Sequence, residues 1–146
     1  MDLKPLFTDL IRLEIELWDA VDARLRGDLD LQLRNYLALQ VIGTTPSCRV
    51  YNLVERLGIT VGTASKAVDR LEDAGWCLRR NNPKDRRSPI LELTETGESL
   101  LDKATLSVDA ELALRLASPL DGQALEQLTA AVARLVRPSG TEERTA

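Results

Sequence analysis

The stretch TVGTASKAVDRLEDAGWCLRRNNPKDRRSPILELTETG, residues 60–97, decides the fold. Its first part has helical periodicity. Ala64, Ala67, Val68 and Leu71 fall on one side of a helical wheel. Gly62, Lys66, Asp69 and Asp73 fall opposite, with Thr63, Ser65 and Arg70 on the flanks. Thr60 has the side chain to cap this helix, and Gly75 ends it. The period then changes from 3.6 to two. Residues 76–80 and 89–93 alternate apolar and polar side chains, and the NNPKD between them is turn chemistry. The two runs predict a β-hairpin with a loop longer than two residues. Thr94 is placed to cap a following helix, with Glu95 adding negative charge in its first turn.

Working outward, residues 49–57 give a short helix marked by Val50, Leu53, Val54 and Leu57 and closed by Gly58 in a left-handed cap. With the helix after Thr60 this makes two helices across a short glycine-containing turn, a helix-turn-helix. Residues 31–42 predict another helix, broken by the GTTPS of residues 43–47. Residues 3–25 predict a long helix whose apolar stripe covers more than half its circumference. Such a helix needs cover on more than one side, from a deep core or from a second chain. Downstream, the helix from Thr94 is expected to reach about Leu116, Pro119 breaks it, and Asp121 caps a last helix. The tail at 138–146 is expected to be disordered.

Composition narrows the chemistry. The 146 residues suit one domain with an aliphatic core, since aromatics are only 3%. Histidine is absent, which removes the commonest general base and metal ligand. Cys48 and Cys77 are the only thiols and cannot by themselves close a zinc site, so no metal or cofactor is expected. No apolar run is long enough to span a membrane, and the acids in the N-terminal pattern argue against a secretory signal. A cytoplasmic protein that is not an enzyme is the expectation. The chain carries 19 basic and 23 acidic groups, net -4. Residues 31–93 nevertheless hold ten basic and six acidic groups. A basic centre between acidic ends suits an anionic partner.

A helix-turn-helix followed at once by a basic hairpin is a winged helix. One helix enters the major groove of DNA while the hairpin reaches phosphates or the neighbouring minor groove. The fold class expected is mainly α with a small β-hairpin wing. Candidate contacts on the recognition helix are Thr60, Gly62, Thr63, Ser65, Lys66 and Arg70. Small and hydroxyl residues lie in its first turn, where base edges are met. Asp69 and Asp73 fit DNA poorly, and Asp69 is expected to pair with a neighbouring arginine. Candidate contacts on the wing are Lys84, Asp85, Arg86, Arg87 and Ser88.

These segments resemble the MarR family of winged-helix transcription regulators. The resemblance rests on Asp69-Arg70-Leu71 to Gly75, on Asp85-Arg86-Arg87, and on the L-x-L-T-x-x-G segment from Leu91 to Gly97. It is close over residues 50–100 and positional elsewhere. It implies a homodimer that binds a palindromic double-stranded DNA site, with residues 1–30 and 94–137 as dimerisation helices around a DNA-binding lobe at 31–93. It also implies that Arg87 probes the minor groove and that Asp85 orients it, with Arg86 facing phosphate. Two departures are Pro89 at the start of the returning strand and Lys66 where many members carry arginine.

The resemblance extends to release of DNA by a small aromatic or anionic effector, or by cysteine oxidation. Arg12, Trp18, Arg34 and Tyr36 are candidates for an effector pocket, against a reading in which Trp18 is dimer core and the arginines are solvated. Cys48 is a candidate redox site because neighbouring Arg49 would lower its pKa. Besides a DNA-binding repressor, two alternatives stand: a winged-helix protein-docking module, which the acidic pI suits, and a redox-sensing regulator.

Overall fold

The computed structural model describes residues 1–136. Arg137 and the expected disordered tail at 138–146 lie outside them. Among the described residues there are six α-helices and one hairpin: α1 (Lys4–Leu29), α2 (Leu33–Thr44), α3 (Val50–Leu57), α4 (Val61–Asp73), β1 (Cys77–Arg80), β2 (Ile90–Leu93), α5 (Glu95–Leu112) and α6 (Gly122–Leu135). The fold class is the expected one, mainly α with a two-stranded antiparallel wing. No described helix is long and apolar enough to cross a membrane.

The core is aliphatic. Leu25, Leu31, Leu39, Leu53 and Leu71 are fully buried, joined by Val68 and Ala64. These side chains come from the end of α1, from the connection after it (Leu31), and from α2, α3 and α4, and each fully buried leucine contributes roughly 1.5–3 kcal/mol. The predicted core face of α4, Ala64, Ala67, Val68 and Leu71, is the buried face. Gly58 ends α3 at φ 64°, where a side chain would be strained.

Several boundaries differ from expectation. α1 was expected to end near residue 25 but runs on through Gly27 to Leu29, and Asp30 closes it at φ 52°. Asp28 holds this last turn, accepting from Arg24 Nε at 2.8 Å and from Ser107 Oγ of α5 at 2.7 Å. α2 likewise runs through Gly43, where Leu101 and Leu93 occupy the space a side chain would need. The helix after Thr94 ends at Leu112 in a π-helical turn, Ala113–Ala117, short of Leu116 as an α-helix.

The joint between wing and α5 is tight. Thr94 N donates to Trp76 O at 3.0 Å, and its hydroxyl donates to Gly75 O at 2.7 Å while accepting from Gly97 N at 3.1 Å. A Cβ at Gly97 would fall onto the Trp76 carbonyl. That close approach explains the Thr-x-x-Gly spacing read from the sequence.

Candidate nucleic-acid interface

The start of α4 is built by its own cap. Thr60 Oγ1 accepts from Thr63 N at 3.1 Å and lies 2.9 Å from Thr63 Oγ1. Thr60, proposed from sequence as a contact, therefore spends its hydroxyl on the helix terminus. Gly62 is exposed with open space around it, so backbone can approach a partner there. Thr63 and Lys66 are exposed, and Ser65 is half-buried. Arg70 points elsewhere. Its Nε donates to Asn35 Oδ1 of α2 at 3.3 Å, and partial burial holds its pKa below the usual arginine value, with Arg34 adding repulsion. It braces α4 against α2.

The basic stretch divides into two sets. Arg79 on β1 bridges to α4, with Nη2 2.7 Å from Asp69 and Nη1 3.3 Å from Glu72. This is the neighbouring arginine expected for Asp69. Arg80 pairs across the hairpin with Glu92 at 2.9 Å, matching the strand register Leu78↔Glu92 and Arg80↔Ile90. Lys84, Arg86 and Arg87 are exposed and carry no ion pair among the described residues. Internal carboxylates thus neutralise the strand arginines and leave the loop cations uncommitted.

Asp85 acts through the backbone. Its Oδ1 accepts from Arg87 N at 3.0 Å, and its carbonyl accepts from Ser88 N at 3.2 Å. Asp85 thus fixes the main chain at Arg87, and no carboxylate–guanidinium pair joins the two among the described residues. Asn82, which the sequence reading passed over as turn chemistry, closes the loop. It is buried, donates from Nδ2 to Ser88 O at 3.0 Å, and accepts from Lys84 N at 3.1 Å. An Asn before Pro that can bond two residues on was the available signal. Pro89 sits outside the ladder, which begins at Ile90, so its missing donor leaves no strand bond unmade. On its outer edge β2 gains a bond instead, from Leu91 N to Cys48 O at 2.7 Å.

Two further expectations change. Cys48 is fully buried, and burial pushes its pKa up to about 11. The lowering expected from Arg49 is absent because desolvation of a thiolate outweighs nearby cations. Cys77 is buried with its pKa also about 11. Of the four proposed pocket residues, Trp18 and Tyr36 line one apolar groove of about 590 Å³ with Leu10, Leu17, Leu112 and Val132. Arg12 and Arg34 do not line it. Arg12 is exposed and paired with Glu16 at 2.7 Å, and Arg34 is exposed.

A helix-turn-helix with an uncommitted cationic wing defines the class of winged-helix DNA-binding proteins. The MarR family model matches residues 31–88. The organic hydroperoxide resistance transcriptional regulator of Bacillus subtilis is 31% identical over 74% of this chain and 71% of its own length. The chain belongs to the MarR family. A second Bacillus subtilis regulator, 28% identical, is matched over 62% of its own length, so the chain spans less than two thirds of that protein. Among solved structures, a MarR family regulator from Streptomyces coelicolor in complex with DNA superposes with TM-score 0.81 at 25% identity, over 93% of this chain and 88% of that one. CouR from Rhodococcus jostii, bound to p-coumaroyl-CoA, superposes with TM-score 0.83 at 24% identity, over 95% and 96% of the two chains. At that identity the second likeness carries the fold.

Proposed function

We propose that this chain is a homodimeric, sequence-specific DNA-binding regulator that represses from a palindromic operator. The observation that carries the reading is the sorting of charge. Arg79 and Arg80 are consumed internally, whereas Lys66 on α4 and Lys84, Arg86 and Arg87 on the wing carry no ion pair among the described residues. Gly62, Thr63, Ser65 and Lys66 serve the major groove, and the wing serves the backbone and the adjacent minor groove. A protein-docking wing has no need of so many uncommitted cations. The Streptomyces coelicolor relative in complex with DNA supports the assignment.

Residues 1–30 and 94–137 are the dimer arms of this proposal, around a DNA-binding lobe at 31–93. Leu6, Phe7, Leu10 and Ile11 on α1, with Leu3 just before it, and Val132 and Leu135 on α6, are exposed in the single chain and need cover. The groove holding Trp18 and Tyr36 is the candidate effector site, with an apolar or aromatic ligand as its chemistry; CouR with its p-coumaroyl-CoA offers a parallel. Such a partner set belongs in the cytoplasm. The hydroperoxide role in the Bacillus relative's name does not transfer through Cys48 or Cys77, since both thiols are buried with raised pKa values.

Random-sequence selection of duplex DNA by the purified protein at moderate salt tests the reading. A palindrome with half-sites about one helical turn apart is the expected result. No enriched sequence would overturn it.

A further inference from the structure

A cleft of about 630 Å³ lies between the start of α3 and the base of the wing loop. Arg49 and Tyr51 line it from the α3 side, and Lys84 and Pro83 from the wing. Arg49 stacks its guanidinium over the Tyr51 ring at 5.3 Å from the centroid. Tyr51 is nonetheless 48% exposed, so the stack stands at the surface. Neither Arg49 nor Lys84 has an ion pair among the described residues. Asp85 is the one carboxylate in the lining, and one of its oxygens is engaged by Arg87 N.

The contact is informative because a guanidinium held over a ring has lost some of its rotational freedom before any partner arrives. A helix in the major groove and a wing in the neighbouring minor groove are separated by one sugar-phosphate strand. On the DNA-binding reading, that strand would run past the cleft at the wing base. We propose that Arg49, presented by Tyr51, and Lys84 clamp a backbone phosphate of that strand, at a contact separate from both the recognition helix and the wing tip. The inference rests on the DNA-binding reading above. A phosphate contact positions the duplex and carries no sequence information.

The test measures affinity for the selected operator and for a scrambled duplex across a salt series, with wild type, Arg49→Ala, Lys84→Ala, Tyr51→Ala and Tyr51→Phe. Arg49→Ala keeps both backbone bonds at the start of α3, Arg49 N to Asn52 Oδ1 and Asn52 N to Arg49 O, so the helix survives the change. Each cation removed from a dimer deletes two phosphate contacts. The slope of log affinity against log salt should fall by about two per dimer. Affinity should fall about tenfold or more, by the same factor on both duplexes. Tyr51→Ala should lose part of this, and Tyr51→Phe, which keeps the ring, should retain it. Unchanged slopes in Arg49→Ala and Lys84→Ala would overturn the clamp while wild-type binding leaves the DNA reading intact. A loss confined to the operator would also overturn it, by making the contact a base contact. Failure of the wild type to bind either duplex would remove both readings.

Discussion

At the scale of single residues, Asn82 bears more on the wing than any of its arginines. It is a buried polar side chain that satisfies itself by tying the Lys84 amide to the Ser88 carbonyl. Substituting Asn82→Ala leaves both partners unpaired, a cost of roughly 1–3 kcal/mol in a buried setting. Because the ladder Cys77↔Leu93 to Arg80↔Ile90 is untouched, the loss should concentrate in the loop. The expected outcome is a domain that still unfolds cooperatively but binds its operator at least tenfold more weakly, read by fluorescence anisotropy. The cysteines act differently. Both thiols titrate near 11 in the folded chain because burial disfavours the thiolate. A group with a raised folded pKa contributes fully below its unfolded value, and that contribution is lost as pH rises toward the folded one. Stability should therefore fall between about pH 9 and 11, and a Cys48→Ala, Cys77→Ala double variant should show a flatter alkaline limb in denaturant titrations. Peroxide at neutral pH should leave DNA affinity unchanged, and a clear loss would restore the thiol-switch reading.

At the scale of elements, what was legible depended on whether the deciding contact was local. α4 and the hairpin were readable because Thr60 caps within three residues and the period change at residue 76 lies in the chain itself. The end of α1 was not. Gly27 signals a stop at a cost of only about 1 kcal/mol in a helix interior, and Ser107, far along the sequence, overrides it by binding Asp28. Gly43 misled in the same way, because the side chains of Leu93 and Leu101 pack where a break seemed due. Arg79 and Arg87 look alike in sequence, yet only the fold brings Asp69 and Glu72 to one of them. The start of α2 is a further case. Gln32 provides no side-chain cap, and Asp22 of α1 supplies it, accepting from Leu33 N at 2.9 Å while pairing with Arg26 at 2.7 Å. These partners, the Leu33 amide first, hold the Asp22 pKa below the usual carboxylate range. A depressed pKa contributes stability above the unfolded value, and this is lost as pH falls through the folded one. Asp22→Ala should cost about 1 kcal/mol at neutral pH, as cap removal does. The gap between variant and wild type should close in acid, below the ordinary carboxylate range. A gap that persists undiminished at low pH would mean that Asp22 acts by packing alone.

At the scale of the whole molecule, the single chain leaves its most apolar surface uncovered. Phe7 is 64% exposed and Leu135 73%, at the free ends of α1 and α6, while the lobe between them buries Leu39, Leu53 and Leu71 completely. Isolated exposed apolar residues are ordinary, but a run along one helix marks an interface. The proposed dimer covers this surface with its own copy, and a palindromic operator requires the same two-fold arrangement. The acidity of the chain then has a place, because the excess negative charge lies in residues 1–30 and 94–146 and leaves 31–93 basic. Acidic arms held away from the duplex do not weaken a basic lobe beyond a Debye length, about 8 Å at physiological salt. Phe7→Asp tests the scheme without touching the lobe, since Phe7 lies outside the core cluster that begins at Val21. Wild type should sediment as a dimer at micromolar concentration and the variant as a folded monomer with unchanged helical signal. Operator affinity should fall by about two orders of magnitude or more, because two linked half-sites gain avidity that a lone lobe lacks. Non-specific binding per lobe should persist with a shallower salt slope. A variant that stays dimeric and binds its operator normally would show that the α1 stripe is covered by something other than a second copy of this chain.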